Sequence, residues 1–284
     1  MKKRLIEIVK TLEGGRDGIY ARDALERAAN YVEDEFRKCG FHIDYDEFDF
    51  QGKIYRNIIA TTSGIDVEKE WYALCAHYDA VAGSPGADDN ASGVAVMLET
   101  ARVLGPQKGL QFIAFTLEEP QMTGATFLYG SKNFVKVMKG RGHIYKGLYN
   151  LESVGYIDKE PGSQQVPPLL NAPHTGDFIA LVGNSGSEKL MSLYVETAHS
   201  KVPGLKVFTH KVMMSGYLLL PSRFSDHAPF WDAGFPAVMV TDTAMMRNPN
   251  YHTKYDTSDT ISPEFMEQVA KALIHTLEAL LRKD

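Results

Sequence analysis

The sequence predicts one α/β domain spanning residues 1–284, with helices covering both faces of a mixed, mostly parallel β-sheet. Short apolar runs typical of strands alternate with stretches of helical periodicity, and this alternation requires crossover connections between parallel strands. The 284 residues, 44% of them hydrophobic and 23% charged, are enough for a sizeable core. The Pro-, Gly-, Ser- and Gln-rich residues 157–175 read as a long loop within the domain.

The N-terminal residues 1–40 are predicted to be helical. Met1-Lys2-Lys3-Arg4 resembles the start of a signal peptide, but Glu7 and Lys10 interrupt the apolar stretch, so the segment reads as an amphipathic helix. A second helix ends at Gly40, and it is indicated by apolar residues at helical spacing: Leu25, Ala28, Ala29, Val32, Phe36 and Cys39.

Strands and helices then alternate to the end of the chain. Residues 41–60 read as two strands, and further strands are predicted at 71–76, 110–117, 178–183 and 236–241, with another strand ending over 148–151. Helices are predicted over 94–104, 125–138 and 187–200. A final helix is capped by Ser262, with Pro263 in its first turn.

Composition excludes several functions. The net charge of −6, with no basic run beyond Lys2-Lys3-Arg4, argues against nucleic acid as a partner. No apolar stretch approaches the roughly 20 residues of a membrane span, so we expect no membrane partner. Cys39 and Cys75 read as small buried residues rather than a disulfide framework. We expect a cytoplasmic protein, and a secreted one without its signal peptide would share these features.

Acidic and imidazole side chains follow the predicted strands, where sites form in open α/β sheets. Asp88 and Asp89 lie in a Gly-rich loop before a helix, and His252 follows the last strand after a loop. The residues directly behind the other strands are His77, Asp79, Glu118, Glu119 and Glu152. These strand ends converge on one edge of the sheet, so the sequence predicts a functional site there.

Each residue alone has an ordinary explanation. Asp88 to Ser92 is compatible with a simple helix cap, and tandem glutamates are usually solvated. However, Glu118 and Glu119 directly follow a run that reads as a central strand. Buried charges at such a place need partners or a metal ion.

Six pieces of the sequence, taken in order, resemble one family, and the resemblance covers the chain from about residue 20 to the end. They are His77-Tyr78-Asp79, residues 86–93 (Gly-Ala-Asp-Asp-Asn-Ala-Ser-Gly), Glu118-Glu119, Asn150-Leu151-Glu152, residues 225–230 (Ser-Asp-His-Ala-Pro-Phe), and Tyr251-His252-Thr253 with Asp256-Thr257. The chain is similar to the dinuclear-zinc aminopeptidases, the metallopeptidase family that also includes glutamate carboxypeptidase II and, more distantly, the glutaminyl cyclases.

The resemblance implies a site with two zinc ions per chain. Asp89 would bridge both ions, Glu119 and His252 would complete one, and His77 and Glu152 the other. Such pairs of metal ions share one nucleophile, and imidazole with carboxylate suits zinc.

The resemblance also implies catalytic and supporting roles. Glu118 would act as the general base, and Tyr251 would donate a hydrogen bond to the oxyanion. Asp79 would fix the tautomer of His77. The residues expected to support the site similarly are Asp226, His227 and Asp256.

The sequence departs from the family pattern in three places. Glu152 stands where Asp is common, which lengthens that side chain by one methylene. Residues 120–125 replace a frequent Gly-x-x-Gly-Ser segment. Phe224 fills the place of an arginine, while Arg223 lies one position earlier.

We therefore expect a zinc aminopeptidase that hydrolyses the first bond of peptides with a free N-terminus. Met122, Phe224, Met245 and Met246 are expected near the cleft and favour apolar first residues. One alternative is a glutaminyl cyclase-like transferase, which uses one metal, and another is carboxypeptidase or dipeptidase specificity. A non-catalytic binding homologue would have lost ligands or the base, and none is lost here.

Overall fold

The computed structural model describes residues 1–121, 127–168 and 170–282, in which eight strands form one mixed sheet. The strands are β1 (His42–Phe50), β2 (Lys53–Thr61), β3 (Glu70–His77), β4 (Leu110–Phe115), β5 (Ile144–Glu152), β6 (Phe178–Gly183), β7 (Lys206–Lys211) and β8 (Ala237–Thr241). The helices are α1 (Lys2–Leu12), α2 (Arg22–Lys38), α3 (Gly93–Leu104), α4 (Tyr129–Gly140), α5 (Glu188–Lys201), α6 (His227–Asp232) and α7 (Pro263–Leu281).

The spatial order of the strands is β1-β2-β4-β3-β5-β8-β6-β7. The four central strands, β4, β3, β5 and β8, run parallel to one another. On either side of them, β2 pairs with β4 and β6 pairs with β8 in the antiparallel sense. In register, His77 lies opposite Phe115 and Glu152 opposite Thr241. The central strands therefore end together at one edge.

Helices pack on both faces of this sheet, which confirms the expected fold class. The larger core contains α1, α2, α3, α5 and α7, with α7 packed against α1, α3 and α5. The second core lies under α4 and α6 and includes Phe134, Phe230 and Trp231. Parallel strands buried on both sides read as continuous apolar runs, and β4 is buried along its whole length.

Most predicted elements are present, with shifted ends. The strand predicted over 110–117 ends at Phe115, and Leu117 takes a left-handed conformation with φ of 51°. The helix predicted from 125 begins at Tyr129, and residues 125 and 126 lie outside the described part. The loop predicted over 157–175 is closed by an isolated β-bridge between Asp158 and Gly176.

Two elements were not predicted, β7 and α6. β7 is an edge strand whose residues are half-buried or exposed, so it lacks a strong apolar run. α6 has only six residues and contains Pro229, which hides helical periodicity. Within the described ranges, no helix is long and apolar enough to cross a membrane.

Candidate metal centre

His77 and Glu152 are the last residues of the adjacent strands β3 and β5, and both are buried. The Nε2 atom of His77 lies 3.5 Å from Oε2 of Glu152 and 3.3 Å from Oδ1 of Asp89. Three potential ligand atoms thus converge where the strands end.

A second cluster lies on loops beside the first. The Nε2 atom of His252 is 3.0 Å from Oδ2 of Asp89 and 3.1 Å from Oε2 of Glu119. The two oxygens of Asp89 therefore face different histidines. This is the arrangement that a carboxylate shared between two cations requires.

The loop before α3 distinguishes Asp89 from its neighbour Asp88. The carboxylate of Asp88 accepts hydrogen bonds from the Gly155 amide and the Asn248 side chain, both at 2.8 Å, so it is satisfied away from the clusters. Both oxygens of Asp89 lack a hydrogen-bond partner among the described residues. The same is true of Nε2 of His77 and Oε1 of Glu119.

Such orphaned buried atoms are costly unless something pairs with them. Nitrogen and oxygen donors within 4.8 Å of one another form two groups, His77 with Glu118 and Glu152, and Asp89 with Glu119 and His252. Imidazole and carboxylate are ligands that Zn²⁺ accepts. The residues present thus fit divalent cations.

The electrostatics of the site agree with this fit. Burial, reinforced by the negative charge of Asp89, raises the pKa of Glu119 to about 8. Burial also raises the pKa of Glu118 well above its usual range, although His77 opposes the shift. For His77, burial lowers the pKa, but Glu152 and Glu118 outweigh it and leave the pKa well above its ordinary value. The site therefore needs positive charge.

Asp79 supports the ligands through the backbone. Its carboxylate accepts hydrogen bonds from the amides of Glu118 and Glu119, each at 3.2 Å. Its Oδ1 also lies 3.4 Å from Nδ1 of His77. Asp79 thus touches both the imidazole that the sequence assigned to it and the turn that carries the tandem glutamates.

Asp256 supports the backbone of the loop that carries Asp89 in the same way. Its two oxygens accept hydrogen bonds from the amides of Asp88 at 2.8 Å and Asp89 at 3.1 Å. Burial and the charge of Asp88 raise the pKa of Asp256 to about 7.

A buried chain of hydrogen bonds reaches Glu152. The Asn150 amide donates to Ser225 Oγ at 2.6 Å, and the Ser225 hydroxyl donates to Oε2 of Glu152 at 2.5 Å. Asp226 is fully buried next to Ser225, and burial raises its pKa to about 7 against the opposing charge of His77. His227 instead places Nε2 2.8 Å from the Ser222 carbonyl, so that nitrogen is engaged with the backbone.

Two of the remaining sequence candidates, Glu118 and Tyr251, lie beside the histidines of the clusters. Oε2 of Glu118 is 3.9 Å from Nε2 of His77, and the Tyr251 ring lies against His252. Arg223 pairs with Asp232 at 2.7 Å and donates to the Ser215 carbonyl, so its guanidinium is engaged elsewhere. Met122 lies outside the described residues.

An apolar cavity opens beside Glu152 and Tyr251. Its wall comes from β6, β7, β8, the loop before β6 and the segments around 219–224 and 243–246. Phe224, Met245 and Met246 line it. The sequence did not predict the contributions of β6 and β7, among them Phe178 and Phe208.

Sequence reasoning also missed Arg16, which lies in the loop between α1 and α2 and is 2% exposed. Its guanidinium donates to backbone carbonyls of the loops that carry His77 and Asp89. A lone arginine in a Gly-rich loop gives no signal of such a role in the sequence.

The fold and the paired nitrogen–oxygen clusters define a candidate metal-dependent α/β enzyme. The sequence model of Peptidase family M28 matches residues 57–277, and the chain belongs to this family. The family resemblance carried by the motifs is thereby confirmed.

Known proteins resemble the chain to different extents. The uncharacterized protein YfbL of Escherichia coli (strain K12) is 34% identical over 275 residues, 90% of this chain and 80% of YfbL. The structure of BSAP, a zinc aminopeptidase from Bacillus subtilis, is 25% identical with a TM-score of 0.59, and the match covers 81% of this chain and 51% of BSAP. Several other curated relatives are longer, and this chain spans 41–51% of their length.

A glutaminyl cyclase has a similar fold. The structure of the Macrostomum lignano enzyme matches with a TM-score of 0.76 and 19% identity, covering 99% of this chain and 90% of the cyclase. At this identity the likeness concerns the fold.

Proposed function

We propose that this chain is a zinc aminopeptidase with two zinc ions at one site. The observation that carries the proposal is the position of Asp89, whose oxygens face His77 at 3.3 Å and His252 at 3.0 Å. His77 and Glu152 would hold one ion and Glu119 and His252 the other. BSAP, described as a zinc aminopeptidase, supports the choice of metal and reaction class.

When bound, the ions supply a Lewis acid that polarises the scissile carbonyl and lowers the pKa of water. Glu118 then serves as the base. It accepts the proton of the attacking water and passes it to the leaving amine. Its carboxylate lies 3.9 Å from Nε2 of His77 and only 5% of the residue is exposed, so it can act beside the ligands without bulk water.

Tyr251 stabilises the oxyanion in this proposal. Burial and the nearby carboxylates, Asp89 first, raise the pKa of its phenol well above the usual value. The hydroxyl therefore stays protonated at neutral pH and can donate a hydrogen bond to developing negative charge.

The substrate is bound at two places, its amine and its first side chain. Glu152 borders the cavity and offers a carboxylate to a free α-amino group. The cavity wall is mainly apolar, with Phe178, Phe208 and Met239 among its residues. We therefore expect a preference for apolar N-terminal residues.

A glutaminyl cyclase is the second candidate, because the chain shares its fold with such an enzyme. Against it stands the full set of five candidate ligands, whose carboxylates lie 3.0–3.5 Å from the imidazole of His77 or His252: His77, Asp89, Glu119, Glu152 and His252. Carboxypeptidase or dipeptidase specificity would use the same centre with the other end of the substrate.

A matched set of peptides tests the proposal on the zinc-loaded protein. We expect hydrolysis of peptides that begin with Leu or Phe, slower hydrolysis of those that begin with Lys or Glu, and loss by orders of magnitude on N-acetylation, because the amine contact near the metals is removed. Equal rates on free and acetylated peptides contradict an aminopeptidase. Release of ammonia from an N-terminal Gln peptide without hydrolysis identifies a cyclase.

A further inference from the structure

Arg16 is a buried cation that binds backbone rather than carboxylates. Its Nε donates to the Tyr78 carbonyl at 3.0 Å, Nη1 donates to Pro85 O at 2.8 Å, and Nη2 donates to Gly86 O at 3.0 Å. Nη1 also donates to the carbonyls of Leu12 and Gly14 in its own segment. One planar group thus joins three stretches of chain.

Two of these stretches carry metal ligands. Tyr78 stands between His77 and Asp79, and Gly86 lies three residues before Asp89. A Cβ at Gly86 would lie 2.9 Å from Nη2 of Arg16, so the glycine permits this close approach.

The positive charge of Arg16 interacts with the carboxylates of the candidate site. Burial lowers its pKa to about 10, and the opposing attraction comes from Asp79 first, then Asp89. The group remains cationic at neutral pH. This buried cation lies near an acidic site and donates hydrogen bonds to the backbone beside the candidate ligands, so it is placed to influence their positions.

We propose that Arg16 is a positioning residue that fixes the segment directly after His77 and the Asp89 loop at the spacing in which the side chains of His77 and Asp89 bind the same metal ion. The inference rests on the metal site of the proposed function. Arg16 lies outside residues 57–277, the part matched by the family. It acts on zinc only through the backbone of the two loops.

The test measures zinc affinity, by competition with a coloured chelator, for Arg16→Met, Arg16→Lys and a control, Arg4→Met. Arg4 lies in α1 and pairs with Glu35 and Glu99, away from the ligand loops. We expect Arg16→Met to weaken zinc binding about 10–100-fold, the usual effect of losing a group that orients ligands. Arg16→Lys should recover part of it, since it keeps the charge without the planar fork. Arg4→Met should bind zinc like wild type.

Two further measurements distinguish a positioning role from a purely structural one. Thermal unfolding with chelator shows that each variant is folded at the assay temperature, and the visible spectrum of the Co²⁺ form reports ligand geometry. A folded Arg16→Met with wild-type affinity and spectrum overturns the proposal. If Arg16→Met does not fold, Arg16→Lys decides: weaker binding with an altered spectrum supports the proposal, and wild-type values overturn it. Wild-type protein that binds no zinc overturns the proposed function instead.

Discussion

The aromatic rings of Tyr251 and His252 stack face to face, with centroids 3.9 Å apart and planes inclined by 15°. His252 itself takes a left-handed backbone conformation, with φ of 57°. The contact orients the imidazole toward Asp89 and Glu119, while the tyrosine ring borders the cavity. Tyr251 is therefore connected to the candidate metal site by packing and to the apolar cavity by position.

The change Tyr251→Phe separates these two roles. Phenylalanine keeps the stacked ring but loses the hydroxyl. If the hydroxyl stabilises the oxyanion, kcat should fall by about 10²–10³-fold, with zinc content unchanged. Steady-state kinetics with metal analysis measure this. Wild-type kcat in Tyr251→Phe would assign the residue to packing alone.

The number of metal ions is a second prediction. Because the two oxygens of Asp89 face His77 and His252, the site should bind two Zn²⁺ per chain, and a chelator should abolish activity. Elemental analysis after equilibration with zinc and gel filtration gives the ratio. A single ion at saturating zinc would contradict the two-metal site and favour the cyclase.

Glu118 and Glu119 are neighbours for which we expect different losses. Glu118→Gln cannot accept a proton, so kcat should fall at least about 10²–10⁴-fold with near-normal zinc content. Glu119→Gln should instead lose zinc, because it removes an oxygen 3.1 Å from His252.

For both variants, kcat and zinc content are measured on the same preparations. If Glu118→Gln keeps more than about a tenth of kcat, Glu118 is not the base. Zinc loss in Glu118→Gln but not in Glu119→Gln would exchange the two roles.

Zinc binding should release protons. In the metal-free site, burial and Asp89 raise the pKa of Glu119 to about 8, so this carboxyl is mostly protonated at pH 7. Zinc binds the carboxylate, so affinity should increase as pH rises through about 8 and decrease below it. Calorimetry at pH 7 in two buffers of different ionisation enthalpy counts the protons. Identical heats in both buffers would contradict the prediction.

The sequence predicted much of the centre because strong apolar runs locate the parallel strands. His77 and Glu152 end β3 and β5, and the rule that sites form at carboxyl strand ends applies to them directly. Asp89 could not be distinguished from Asp88 by local pattern alone. That choice came from the family resemblance, and the contacts of Asp88 with Gly155 and Asn248 now give it a physical reason.

Other features depend on contacts between distant segments. Arg16 acts on residues 62–70 positions away, a relation without local periodicity. Edge strand β7 contains only half-buried and exposed residues, so only its pairing with β6 identifies it. The cavity wall combines these strands with loop residues such as Gln164 and Leu170, which no single stretch of sequence indicates.

The candidate ligands differ in what anchors them. His77 and Glu152 end hydrogen-bonded strands, whereas Asp89, Glu119 and His252 belong to connecting segments. Under the two-ion proposal, the sheet already holds two ligands of one ion, His77 and Glu152, while all ligands of the other ion lie on connecting segments. The two ions should then leave in sequence, the loop-held ion first, and its departure should expose these connections to proteases before the sheet itself loosens.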